Sequence, residues 1–86
     1  MSQPLILVVD DEPQVARLVS RFLRRGEFRT RVANSGVDAL QKLDPEVRLV
    51  VTDADMPRMT GYELVEHIRT GGVATDVPVL MVTALD

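Results

Sequence analysis

Two groups of carboxylates in this chain each follow a short apolar run. "LILVV" ends in Asp10, Asp11 and Glu12, and "RLVV" leads through Thr52 into Asp53, with Asp55 two residues further on. A third apolar run, "VPVLMV", ends in the hydroxyl of Thr83. Acids at the ends of buried segments face a rim, where water, a metal ion or a phosphate can reach them. Three or four carboxylates in one pocket repel one another, and the repulsion is relieved by proton uptake or by a hard divalent cation. Mg2+ suits such a set, because it takes oxygen ligands, needs few protein carboxylates and keeps waters or phosphate oxygens in its other positions. The chain has no cysteine and a single histidine, His67, which gives a zinc or iron centre little to bind to. A carboxylate beside Mg2+ can also attack phosphorus and form an aspartyl phosphate, while the metal offsets the charge of the incoming phosphoryl group.

Such chemistry requires elements that bring distant acids to one place. "PLILVV" reads as a buried strand, and "DDEP" as a helix start with Pro13 in the first turn. From Gln14 onward Val15, Leu18, Val19, Phe22 and Leu23 recur at the spacing of one helix face, and Gly26 supplies the stop. "FRTRVA" alternates as a strand does. "NSG" then turns the chain, and Ser35 can cap a short helix with Val37, Leu40 and Leu43 on its apolar face. "VRLVVT" is the next buried strand. Beyond the acidic loop Thr60 can cap a helix from Gly61 to Thr70, with Leu64, Val65 and Ile68 inward and "GG" to end it. "VPVLMVTA" makes a fourth strand.

Strands alternating with helices of this length predict an α/β fold, a doubly wound parallel sheet with short connections. Ligands in such open sheets bind outside the carboxyl ends of the strands, where the strand order reverses. Asp10, Asp11, Asp53 and Thr83 all fall at those ends, so the topology predicts that they converge. Right-handed crossovers place the first helix alone on its side of the sheet. In a strand order of 2-1-3-4 the segment Val79 to Val82 is an edge that is apolar on both faces. Self-association is expected there or across the bared face around the first helix.

At 86 residues the chain reads as one domain, 1–86, with a thin core. With 45% hydrophobic and 27% charged residues it has the make-up of an ordinary globular domain, neither fibre nor disordered tail. A formal charge of -3 argues against nucleic-acid binding by this domain. The longest apolar run, "LILVV", is far short of the roughly 20 residues a membrane span needs, and the N-terminus lacks a signal-peptide pattern. A cytoplasmic location is expected.

"ILVVDDEP", "VVTDADMPRMTG" and "VPVLMVTA", in this order and spacing, resemble the receiver domain of two-component response regulators. The resemblance implies the flavodoxin-like form of the doubly wound sheet and Mg2+-dependent phosphorylation of Asp53 by a histidine kinase or phosphotransfer protein. By the same resemblance Asp11 is a direct Mg2+ ligand, Asp10 a ligand through water, and Asp55 a donor of its backbone carbonyl. Met56 and Pro57 would shape the loop. Thr83 would turn toward the phosphoryl oxygens on activation, with Ala84 leaving room beside it. The family's fourth helix, its fifth strand with a phosphate-pairing lysine and a switch aromatic, and its fifth helix have no counterpart in these 86 residues, whose one lysine is Lys42.

Plainer readings stand beside these. Acids at a helix start are common for dipole reasons, and the arginines at 17, 21, 24, 25, 29 and 31 read first as a solvated face. His67 reads as a surface residue, and Met56 and Met59 as loop packing. "LVVTDADMP" is also similar to the first motif of haloacid dehalogenase-like phosphatases, in which Asp53 would be the nucleophile and Asp55 the acid/base. A receiver-shaped interaction module without phosphotransfer is a further alternative.

Overall fold

The computed structural model describes residues 3–83. Its elements run β1 (Leu5–Val9), α1 (Pro13–Arg25), β2 (Arg29–Ala33), α2 (Gly36–Lys42), β3 (Val47–Asp53), α3 (Gly61–Thr70) and β4 (Val79–Val82). The four strands form one parallel sheet in the order β2-β1-β3-β4. The alternation of elements predicts a doubly wound parallel sheet, and the resemblance implies this flavodoxin-like form of it.

The helix starts follow local chemistry. Pro13 opens α1, where its missing N–H would have had no partner. The Ser35 hydroxyl accepts the Asp38 amide at 3.0 Å. Thr60 and Glu63 form a reciprocal capping box, Thr60 Oγ1 accepting from the Glu63 amide and Glu63 Oε1 from the Thr60 amide.

The sheet carries a core on each face. Leu5, Leu7, Val9 and Val50 pack with Leu43 of the α2 C-cap and with Leu64 and Ile68 of α3. Ile6, Val8 and Val51 pack with Ala16, Val19 and Leu23 of α1. Burying side chains as large as Leu64 and Ile68 stabilises the fold by roughly 1.5–3 kcal/mol each.

Two helix faces differ from expectation. Of the α1 stripe, Val19 and Leu23 meet the sheet together with the fully buried Ala16 and Ser20, whereas Val15, Leu18 and Phe22 are 38%, 51% and 62% exposed. The stripe is wider than the strip of sheet beneath α1, so half of it points past the sheet contact. Val37 is also exposed. α2 has only seven residues and seats itself through Gly36 and Ala39, with Leu40 and Leu43 beside them. A β-carbon on Gly36 would run into the Met59 side chain, so glycine allows that close approach.

β4 is an edge strand, as the topology predicts. Leu80 and Val82 share the α1 face of the sheet with Val51 and are 55% and 49% exposed. No helix among the described residues is long and apolar enough to cross a membrane.

Candidate metal and phosphoacceptor site

Strand register assembles the acids. Val9 of β1 lies opposite Thr52 of β3, so the residues that follow, Asp10 and Asp53, leave the sheet next to each other. One carboxylate oxygen from each of Asp10, Asp11 and Asp53 lies within 4.8 Å of the others, the only such cluster among the described residues. A cation at their centre could be reached by all three.

The surrounding backbone holds the two inner acids. Asp10 Oδ1 accepts the Glu12 amide at 2.9 Å, and Asp53 Oδ1 accepts the Asp55 amide at 3.2 Å. Burial pushes the Asp10 carboxyl above its ordinary range. The charges of Asp53, Asp11 and Glu12 add to the rise, and the Glu12 amide opposes it. The ion pairs of the described residues lie elsewhere: Arg29 with Glu46, Arg31 with Asp44 and Glu46, and Lys42 with Asp38. Lys42, the one lysine, donates to the Val32 carbonyl at 2.7 Å and belongs to α2.

The loop after Asp53 is anchored at both ends. Met56 is buried in the core below α3, and the Gly61 amide returns to the Ala54 carbonyl at 2.9 Å. Between them the Met59 amide donates to the Pro57 carbonyl at 2.7 Å across Arg58, whose φ of 70° is strained for a residue with a side chain. Asp55 is exposed, and its carboxylate is not part of the three-acid cluster. Thr83 follows β4 at the same rim, one residue past the Asp53–Val82 pairing. Ala84 lies outside the described residues. His67 is exposed on α3, and Met59 packs against the core as loop packing requires.

Sequence pattern missed the apolar wall of this site. Val15 and Val19 of α1 and Val82 of β4 line a cleft together with Asp10 and Asp53, and Thr52 beneath it is fully buried. The signal was present only in register, because Thr52 reads along the chain as one more β-branched strand residue.

Residues 6–86 match the response regulator receiver domain. The chain belongs to that family. As a receiver it is 39% identical over 79 residues to the "Transcriptional regulatory protein CpxR homolog" of Haemophilus influenzae, a match that covers 92% of this chain and 34% of that protein. It spans about a third of that regulator's length. Among solved structures it is similar to the N-terminal domain of a response regulator receiver protein from Methanoculleus marisnigri, with a TM-score of 0.88 and 40% identity, covering 94% of this chain and 67% of that one. It is also similar to the response regulator protein TrrA of Thermotoga maritima, solved in complex with Mg(2+)-BeF. There the TM-score is 0.83 at 30% identity, over 100% of this chain and 72% of that one.

Proposed function

We propose that this receiver is a phosphoacceptor whose Asp53 takes a phosphoryl group from a phosphohistidine of a histidine kinase or phosphotransfer protein, with Mg2+ as cofactor. The observation that carries the reading is the meeting of the Asp10, Asp11 and Asp53 carboxylates within 4.8 Å at the carboxyl ends of β1 and β3. A divalent cation between them would relieve the repulsion of acids this close, and an all-oxygen donor set fits Mg2+. Asp11 and Asp53 would ligate it directly, Asp10 through water and Asp55 through its backbone carbonyl. The ion supplies charge compensation for phosphoryl transfer. The Thermotoga relative, solved with Mg(2+)-BeF, supports this choice of ion.

In the transfer a carboxylate oxygen of Asp53 attacks phosphorus, the donor's P–N bond breaks, and the released imidazole nitrogen regains its proton. The protein's part is orientation. The Asp55 amide holds one Asp53 oxygen, and the β1–β3 register holds Asp53 beside its neighbours. Thr83 stands at the rim where its hydroxyl could meet the phosphoryl oxygens. On this reading the chain is a signalling acceptor that at most catalyses its own phosphorylation and dephosphorylation, in the cytoplasm. Lys42 is held on α2 by the Val32 carbonyl and by Asp38 and takes no part in this reading.

A second reading concerns assembly. The exposed Leu80 and Val82 of the edge strand, with Val15, Leu18 and Phe22 of α1, favour self-association of this chain.

The acceptor reading is tested by incubation with acetyl phosphate and Mg2+, followed by intact mass. A single phosphoryl adduct that requires Mg2+ and is absent in Asp53→Asn is the expected result. An adduct that persists in Asp53→Asn, or none at any Mg2+ concentration, would overturn it.

A further inference from the structure

Arg17, Arg21, Arg24 and Arg25 of α1 are all exposed and take part in none of the ion pairs among the described residues. At the C-terminal end of the helix one of them meets two more. Arg24, Arg29 and Arg31 line a cleft of about 590 Å³ together with Gln3, Phe28 and Thr30, and no described carboxylate lines it. The cleft runs along the outer edge of β2, at the opposite end of the sheet from β4. Strand register sets the arginines on both sides of that edge. Arg29 and Arg31 pair with Leu5 and Leu7 and share their face of the sheet, whereas α1, and Arg24 with it, covers the other face. Thr30 stands between them. The Arg29 amide bonds to the Pro4 carbonyl and the Ala33 carbonyl accepts the Asp10 amide, so in a parallel ladder the alternate residue Thr30 turns its N–H to the open edge.

Two of the guanidinium groups are fixed without being exhausted. Arg29 gives Nε to the Gln3 carbonyl at 3.1 Å and one Nη2 hydrogen to Glu46, which leaves Nη1. Arg31 spends Nη1 on the Lys42 carbonyl at 2.6 Å and on Asp44 at 2.9 Å, which leaves Nε and Nη2 without a hydrogen bond. A guanidinium is a planar fork of N–H donors that matches phosphate oxygens. Three of them around one cleft suit an anion with several oxygens, and their placement on both sides of the β2 edge suits two linked phosphates better than one. Phe28, 36% exposed, lies against Gly26 and brings its ring to the same cleft, where a flat heterocycle can stack on it.

We propose that the cleft between the C-terminal end of α1 and β2 binds a nucleoside diphosphate, with Arg24, Arg29, Arg31 and the Thr30 amide on the phosphates and Phe28 against the base. The site lies at the amino ends of the strands, roughly 13 Å along β2 from the end that carries the acids. It is therefore separate from the acceptor site and independent of that reading.

Titration with ADP in the presence of a chelator tests the site, because without Mg2+ the acidic rim repels phosphate. Amide shifts should saturate and centre on residues 24 and 28–31, leaving 10–12 and 53–56 in place. Pyrophosphate, which lacks the base, should bind more weakly by about threefold or more, and in Phe28→Leu the two affinities should converge. Arg24→Ala should weaken ADP by about tenfold. Arg17→Ala removes the same charge from the same helix outside the cleft and should leave the affinity nearly unchanged. Both arginines are exposed, so both variants should keep the circular dichroism of the parent. Absence of saturable binding at millimolar ADP, or shifts centred on the acidic rim, would overturn the proposal. Equal losses in Arg24→Ala and Arg17→Ala would assign the binding to the general charge of α1, and equal affinity for ADP and pyrophosphate would remove the base from the site. Either result overturns it as well.

Discussion

Gly61 sits directly against Asp53: a β-carbon on Gly61 would come within 2.5 Å of the Asp53 carbonyl oxygen and equally close to the Met81 sulfur. The start of α3 therefore rests on the last residue of β3, and the acidic loop between them closes without room for one methyl group. Gly61→Ala should destabilise the protein by about 1–3 kcal/mol through overpacking, measured as a lower denaturant midpoint with unchanged slope. Because one of the crowded atoms is the Asp53 carbonyl oxygen, Mg2+ affinity should fall in the same variant.

Asp10 is held above the ordinary carboxylate range by burial and by its acidic neighbours, so its ionised form is disfavoured in the folded protein. A raised carboxyl costs stability above its folded pKa, and the cost is relieved as pH falls through that value. Asp10→Asn should accordingly raise the thermal midpoint without Mg2+. Mg2+ should stabilise the unsubstituted protein by mass action, and Asp10→Asn should respond less. Amide shifts on Mg2+ titration should centre on residues 10–12 and 53–56. Shifts centred elsewhere would reject the site.

The Asp38 carboxyl lies below its ordinary value because it accepts the Asn34 amide at 3.0 Å and pairs with Lys42 at 3.2 Å. For a depressed acid the stabilisation is present above the unfolded-state pKa and disappears as pH falls through the folded one. Asp38→Asn should therefore cost stability at neutral pH, by a few tenths to about 1 kcal/mol for so exposed a pair. The difference from the parent should vanish in the acid range below the ordinary carboxylate pKa. A difference that stays constant with pH would mean that packing is responsible.

What the chain determined by itself is local. The apolar runs that end in Asp10 and Asp53, Pro13 at the first position of α1, the Ser35 cap and the Thr60–Glu63 capping box all depend on neighbours within a few residues. Periodicity and turn chemistry report such features directly, the βα alternation carried the doubly wound parallel class with them, and the strand order came with the family resemblance. Tertiary structure alone decided the rest. The pairing of Val9 with Thr52 sets Asp10 beside Asp53, and Val82 joins them from a third strand. Met56 enters the core, and Gly36 and Gly61 are held against Met59 and Asp53 by contacts across 23 and 8 residues of chain. The clearest case is α1. Its spacing shows that Val15, Leu18, Val19, Phe22 and Leu23 share one side, but how much of that side is buried depends on the width of sheet beneath it. That width is set by strand pairing over long separations, which no periodicity within a helix records.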